Sequence, residues 1–367
     1  MISNKSVCVL TLIFAATLPL HAQTNAPGSA VWTGKGDGKN WSDARNWQPS
    51  GVPTNTATIG EPDEPRVIVV DKAAQVDVLR FVPVNKNTLL LLGGLTVRSL
   101  VMIQKSPYEH ANIDVGNHTL TLSESSRSYL PKLRGKGLLV KTGTGTCYAP
   151  TDTKAYSGDY VVRSGTLIFW GGNMGAGGST NLTIHNGATV RVMNPSPEPV
   201  SFPSNVVVYG VGEGDGVLSF DYSDFGFASN LRAASDAKVS AKANVTWHGH
   251  IRGPGMLTFE AAPGKTNRLD GAFHCAVNGT AANRMAVGSG VLDIAGCALT
   301  VEGSDTATTE EYVLIDYSSE GGSVTGRFAT TDSMPKRWSV AYAGTDDNPK
   351  CVVLVNPPAA DAAVTIP

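Results

Sequence analysis

The sequence predicts an all-β chain wound as a single-stranded, right-handed parallel β-helix with capped ends. Three observations predict it. Short β-branched runs bounded by Gly, Asn, Asp or Pro recur along the chain. A strand–turn–strand unit repeats. Apolar residues three and four apart, the mark of an amphipathic helix, are nearly absent; residues 231–243 are the one stretch read as a short helix.

Taken in order, the first element is a secretory signal over residues 1–22. Lys5 supplies the positive start, and residues 7–20 form an uncharged apolar run. That run is shorter than the ~20 residues needed to span a bilayer. Leu20-His21-Ala22 offers a cleavage site, so the mature chain is expected to begin at Gln23 and to act outside the cytoplasm. No later run reaches membrane-span length.

Residues 23–60 hold three of the six tryptophans, Trp32, Trp41 and Trp47. The open end of a solenoid must be covered, so this segment reads as a tryptophan-rich cap, with Asp37-Gly38 and Asn46 as turn and capping residues. The same rings are candidates for glycan contact, since a flat aromatic face suits the apolar side of a pyranose.

Residues 61–305 are expected to form the β-helix itself. Asn112 to Leu122, Asn181 to Val192 and Arg284 to Ile294 share one layout: strand, Gly/Asn turn, strand. Arg134-Gly135-Lys136-Gly137-Leu138-Leu139 is echoed by Arg252-Gly253-Pro254-Gly255-Met256-Leu257. Units repeated in this way indicate a solenoid. Alternation sends one side chain inward and the next to solvent, and each coil covers its neighbour's edges. A pair of β-sandwiches is the competing architecture. Coils of ~20–25 residues allow about 15 at most.

One stretch carries a family resemblance. Gly135-x-Gly137-Leu138-x-Val140-Lys141-x-Gly143-x-Gly145-Thr146, then Tyr156-Ser157-Gly158 and Ser164-Gly165-Thr166-Leu167, resembles the autotransporter-associated β-strand repeat. The matching segment is residues 134–170. It departs from the repeat at Cys147-Tyr148-Ala149 and at Asp159-Tyr160. The resemblance implies a β-helical passenger-like protein exported by a bacterium. The tryptophan-bearing segment is similar to the N-terminal part of such proteins. Tyr312-Val313-Leu314-Ile315, Gly326-x-Phe328 and Trp338-x-Val340-x-Tyr342 are similar to their C-terminal end. Residues 306–355 are therefore read as a β-rich end and 356–367 as a flexible tail, with no C-terminal translocation barrel.

Composition removes some function classes. Charged residues are 16% against roughly 25% usually, and the net charge is -2, so no basic surface for nucleic acid is expected. Glycine numbers 40 in 367 residues, an excess suited to many tight corners.

Four cysteines follow the signal: Cys147, Cys275, Cys297 and Cys351. Cys275 and Cys297 are 22 apart, about one coil, so they are the candidate disulfide; free buried thiols are the alternative. No C-x-x-C occurs, and no cofactor is expected.

Chemistry-bearing motifs are few. His248-Gly249-His250 puts two imidazoles on one face if it is a strand, with His274 or Asp270 as a distant third ligand; solvent-facing polar residues are the plainer reading, and no metal site is assigned. Asp215, Asp221 and Asp224 cluster in sequence, as do Asp346 and Asp347, and paired carboxyls are what glycoside hydrolysis uses. Gly214-Asp215-Gly216 and Asp346-Asp347-Asn348-Pro349 also read as turns, so no catalytic residue is assigned. Gly264-Lys265-Thr266 lacks the first glycine of a phosphate loop. Gly210 to Gly216 lacks the helix of a dinucleotide site.

The leading expectation is a secreted or cell-surface structural or adhesive β-helical protein whose partner is a cell-envelope component or polysaccharide. The alternative is a carbohydrate-active protein: a polysaccharide-binding module, lyase or hydrolase.

Overall fold

A computed structural model describes residues 28–60, 66–82, 87–102, 111–149, 155–170, 181–194, 202–212, 215–347 and 349–357. The expected signal, residues 1–22, and most of the expected tail lie outside them. The described residues are 55% strand and 2% helix, and they form a parallel β-solenoid of about 9 turns. The all-β parallel β-helix is the fold, and the two-sandwich alternative is excluded.

Each coil is built from short strands on successive faces. One face is traced by the inward column Leu120, Leu139, Tyr160, Leu182, Val206, Leu231, Ile251, Phe273 and Leu299, each in parallel register with the next. All are buried. A second column runs Cys147, Leu167, Val190, Leu218, Val239, Phe259 and Val287, again all buried. The third face holds Ile68, Leu89, Ile113 and Leu133 in the early coils. Phe227, Trp247 and Leu269 hold it in later ones. Like residues stack on like because parallel, in-register pairing places them about 4.8 Å apart along the axis. That stacking closes a continuous core from one coil to the next.

The corners explain the glycines of the repeat-like segment. A Cβ on Gly137 would lie 2.1 Å from the His118 carbonyl oxygen, and one on Gly143 would lie 1.8 Å from that of Glu124. Both obstacles are backbone of the preceding coil, so no rotamer relieves them. Tyr156 turns inward and its hydroxyl lies 2.8 Å from the carbonyl oxygens of both Gly137 and Asp159, tying two coils at that corner.

Two expectations are corrected. Residues 231–243 are not a helix: Asn230–Ala241 is a single long strand. Its neighbours at Asn205–Gly210, His250–Arg252 and Leu257–Ala261 pair with it in parallel and hold it extended. The parallel ladder also starts earlier than residue 61. Ser29–Trp32 already pairs in parallel with Thr56–Ile59, and that strand with Ala74–Phe81. The solenoid has about 9 turns, within the upper bound of about 15.

At the far end the direction of pairing changes. Glu311–Asp316 continues the parallel stack through Met285 and Ala286. Cys351–Val355 then pairs antiparallel with it and with Ser339–Ala341. An antiparallel strand occupies the edge that the next coil would otherwise use. No helix among the described residues is long and apolar enough to cross a membrane.

Candidate functional site

The tryptophans do not form a surface platform. Trp47-Gln48 lies antiparallel to the first strand, with Trp32 opposite Trp47. The Trp47 ring is edge-on to Trp32 at 5.0 Å and to Trp41 at 4.7 Å, and its Nε1 donates to the Trp41 carbonyl at 2.9 Å. Trp32, Trp41 and Trp47 are 7%, 2% and 1% exposed, so no ring face is free for a sugar. Glycan contact at these three residues is corrected to a cap over the first coil.

Asn46 organises the loop around them. Its Oδ1 accepts from the amides of Gly36 and Gly38, and its Nδ2 donates to Asp37 and to the Asn40 carbonyl. Asp37 in turn accepts the Lys39 and Asn40 amides. The Arg45 side chain hydrogen-bonded to Asp43 holds that carboxyl down at about 2.

Cys275 and Cys297 are not bonded; both thiols are free and buried. The register shows why. Cys275 sits opposite Val301, while Cys297 precedes the Ala272–Ala298 pair. Four residues of strand, about 13 Å, therefore separate the two along the axis of the strand, beyond the ~7 Å Cα reach of a disulfide. Burial pushes both thiols up to about 12, so they are inert apolar fillers.

The histidines straddle a corner rather than share a face. Val245–Trp247 ends one strand and His250–Arg252 begins the next. A Cβ on Gly249 between them would lie 1.9 Å from the Ser229 carbonyl oxygen. His248 faces Asp270 at 4.0 Å. His250 stacks on His274, with His250 Nδ1 and His274 Nε2 2.9 Å apart. Burial, and then His250, hold His274 below the usual imidazole value. No cluster of three or more metal-ligating side chains occurs among the described residues.

The acids resolve into two places. Asp224 is tied to Asn244, accepting from its amide and its Nδ2 at 2.8 Å each. Asp346 and Asp347 lie exposed in a bend. Asp215 and Asp221 do converge, and each meets the same two cations. Asp215 hydrogen-bonds Arg191 and lies 2.9 Å from Lys242 Nζ. Asp221 lies 3.2 Å from Arg191 Nε and 3.4 Å from Lys242 Nζ. The cations come from other coils: Arg191 from Ala188–Asn194, and Lys242 just after Asn230–Ala241. Sequence reasoning missed both, because a partner one coil away leaves no local spacing.

One member of the cluster, Arg191, belongs to an outward row. The row runs Tyr129, Tyr148, Ile168, Arg191, Ser219, Ser240 and Glu260, all register partners in turn. Tyr129 and Tyr148 stack at 5.1 Å, and Arg127 lies over the Tyr148 ring. Beside the charges, Asp215, Ser240, Lys242, Glu260 and Ser289 line a shallow depression of about 240 Å³. The Ser219 and Ser240 hydroxyls are buried with no hydrogen-bond partner.

The Lys242 hydrogen bond, aided by Arg191, holds the Asp215 carboxyl below the usual range. The same pairing raises Lys242. A depressed carboxylate stabilises the fold above its unfolded value of about 3.9 and loses that contribution as pH falls through its folded value. Asp215→Asn is therefore expected to be less stable than wild type at pH 6, with a narrower gap at about pH 3, below the unfolded value. Urea midpoints at the two pH values check this; an unchanged gap would contradict it.

Comparison of the chain with protein-family models, with curated proteins and with solved structures finds no match.

Proposed function

We propose that the chain is a secreted or cell-surface structural protein of the autotransporter-associated repeat type: a stiff β-solenoid that presents its lateral face to a cell-envelope component or polysaccharide. The observation that carries this reading is the unbroken parallel stacking from Ser29–Trp32 to Glu311–Asp316, closed at both ends by antiparallel strands. The eight register steps from Leu120 to Leu299, at ~4.8 Å each, alone extend roughly 38 Å, and the side rows repeat along that length. The repeat-like segment and the apolar run of residues 7–20 support bacterial export.

A polysaccharide-binding reading rests on a separate observation, the stacked Tyr129–Tyr148 pair beside Arg127. Tyr129 is 42% exposed, so an aromatic surface lies on the same lateral row as Arg191 and its paired charges. That combination suits a neutral, hydroxyl-rich polymer.

Two measurements test the proposal. Protease treatment of intact cells should cleave the full chain, and should spare a chain lacking residues 1–22. Protection of both forms would overturn export. Retention on immobilised polysaccharides should fall at least tenfold for Tyr129→Ala/Tyr148→Ala, a loss of about 1.4 kcal/mol or more. Release of new sugar ends from those polysaccharides would overturn the structural reading in favour of a hydrolase or lyase.

A further inference from the structure

Among the described residues, the solenoid interior holds a charged pair that its packing does not call for. Lys141 occupies an inward position: its register partners are Leu122 on one side and Val162 on the other, with Ile184 beyond. Every one of those neighbours is apolar and buried. The Lys141 side chain is 0% exposed and that of Glu124 is 1% exposed. Lys141 Nζ lies 2.9 Å from Glu124 Oε1. It also donates to the Gly143 carbonyl at 2.5 Å and to the Ser164 carbonyl at 3.0 Å.

The carboxylate is less well served. Glu124 Oε2 is buried and meets no hydrogen-bond partner, whereas a buried carboxylate normally accepts several N–H groups. Burial pushes the Glu124 carboxyl above its ordinary value. Two charges in a dry core are held at considerable desolvation cost, and a proton moving from the ammonium to the carboxylate removes both. What remains is a primary amine in contact with a carboxylic acid, fixed by two neighbouring coils and shielded from water.

We propose that Glu124 and Lys141 condense into an intramolecular isopeptide bond that staples adjacent coils. The Lys141 ammonium first gives a proton to the Glu124 carboxylate. The Nζ lone pair then attacks Cδ and forms the C–N bond. The bond from Cδ to the protonated oxygen breaks, and that hydroxyl leaves with a second nitrogen proton as one water. No oxidant or co-reactant takes part. The remaining amide N–H keeps a backbone carbonyl, that of Gly143 or Ser164, as its acceptor. The uncharged amide then sits where an ion pair lacked donors.

Mass spectrometry of the purified, denatured chain tests the bond. The mass should be one water, about 18 Da, below that calculated for the observed N-terminus. Trypsin should leave Lys141 uncut and yield a branched peptide joining residues 106–127 to residues 137–154. Lys141→Arg and Glu124→Ala should each restore the full mass. Since the wild-type protein alone decides the matter, a variant that fails to fold does not affect the test. A full sequence mass with cleavage after Lys141 would overturn the proposal. So would a water loss mapped to a succinimide at Asp37-Gly38, Asp215-Gly216 or Asp270-Gly271.

Discussion

Trp247→Ala is expected to destabilise the chain by about 3–5 kcal/mol, the range for truncating a large buried aromatic. The ring is 1% exposed and sits where two inward columns meet. It is edge-on to Phe220 at 5.4 Å, to Phe259 at 5.5 Å and to Phe227 at 4.8 Å. Its Nε1 donates to Asn267 Oδ1 at 3.1 Å, and Asn267 is itself buried. Truncation therefore opens a cavity between coils and strips a buried amide of its donor, which adds roughly 1–3 kcal/mol of unmet desolvation. Trp247→Phe retains most of the packing and loses only the N–H, so it should cost clearly less. The urea midpoint measures both. A shift for Trp247→Ala worth under about 1 kcal/mol would mean that the aromatic stack is not what joins these coils.

Gly249→Ala is the second large effect. Its Cβ would stand 1.9 Å from the Ser229 carbonyl oxygen and 2.4 Å from the Ser229 carbonyl carbon. One coil further on, a Cβ on Gly271 would stand 2.0 Å from the Gly249 carbonyl oxygen. Overpacking ordinarily costs about 1–3 kcal/mol because side chains shift aside. Here the obstacle is backbone, and relief requires separating coils that pair through Leu231 and Ile251. The cost should exceed about 3 kcal/mol, the top of that ordinary range. Gly60→Ala is the control: nothing lies within 4 Å of its Cβ position, so stability should hold or rise slightly. Equal effects at the two positions, read by thermal unfolding, would contradict the corner assignment.

Both effects bear on what the sequence discloses. Thr119-Leu120-Thr121-Leu122 reads as a half-buried strand by alternation alone, and Leu120 and Leu122 do face the core. The glycines at 137, 143 and 249 are legible as turns, but the reason for them is a carbonyl one coil away. The strand at Asn230–Ala241 was not legible. Its alanines favour helix locally, and only the strands on either side impose an extended chain. The 22-residue spacing of Cys275 and Cys297 matches a coil, yet bonding also needs the right place along the strand, which spacing does not carry. Arg191 and Lys242 escaped notice for the same reason: their partners Asp215 and Asp221 lie on another coil. Trp32, Trp41 and Trp47 were visible as a group, but their burial follows from an antiparallel turn that composition does not encode.

The central claim is the parallel, in-register stacking of coils, and one distance tests it most directly. Thr121, Val140, Val161, Thr183, Val207, Arg232 and Arg252 form a single outward column through six consecutive pairings. Spin labels at Thr121→Cys and Arg252→Cys should therefore be separated by about 29 Å between backbones, six steps of ~4.8 Å. The four native thiols of the described residues are buried and should not take label in the folded state. A single narrow distribution near that distance is the expected result of pulsed electron–electron double resonance. A broad or bimodal distribution, or one centred far from it, would contradict the stacked coil.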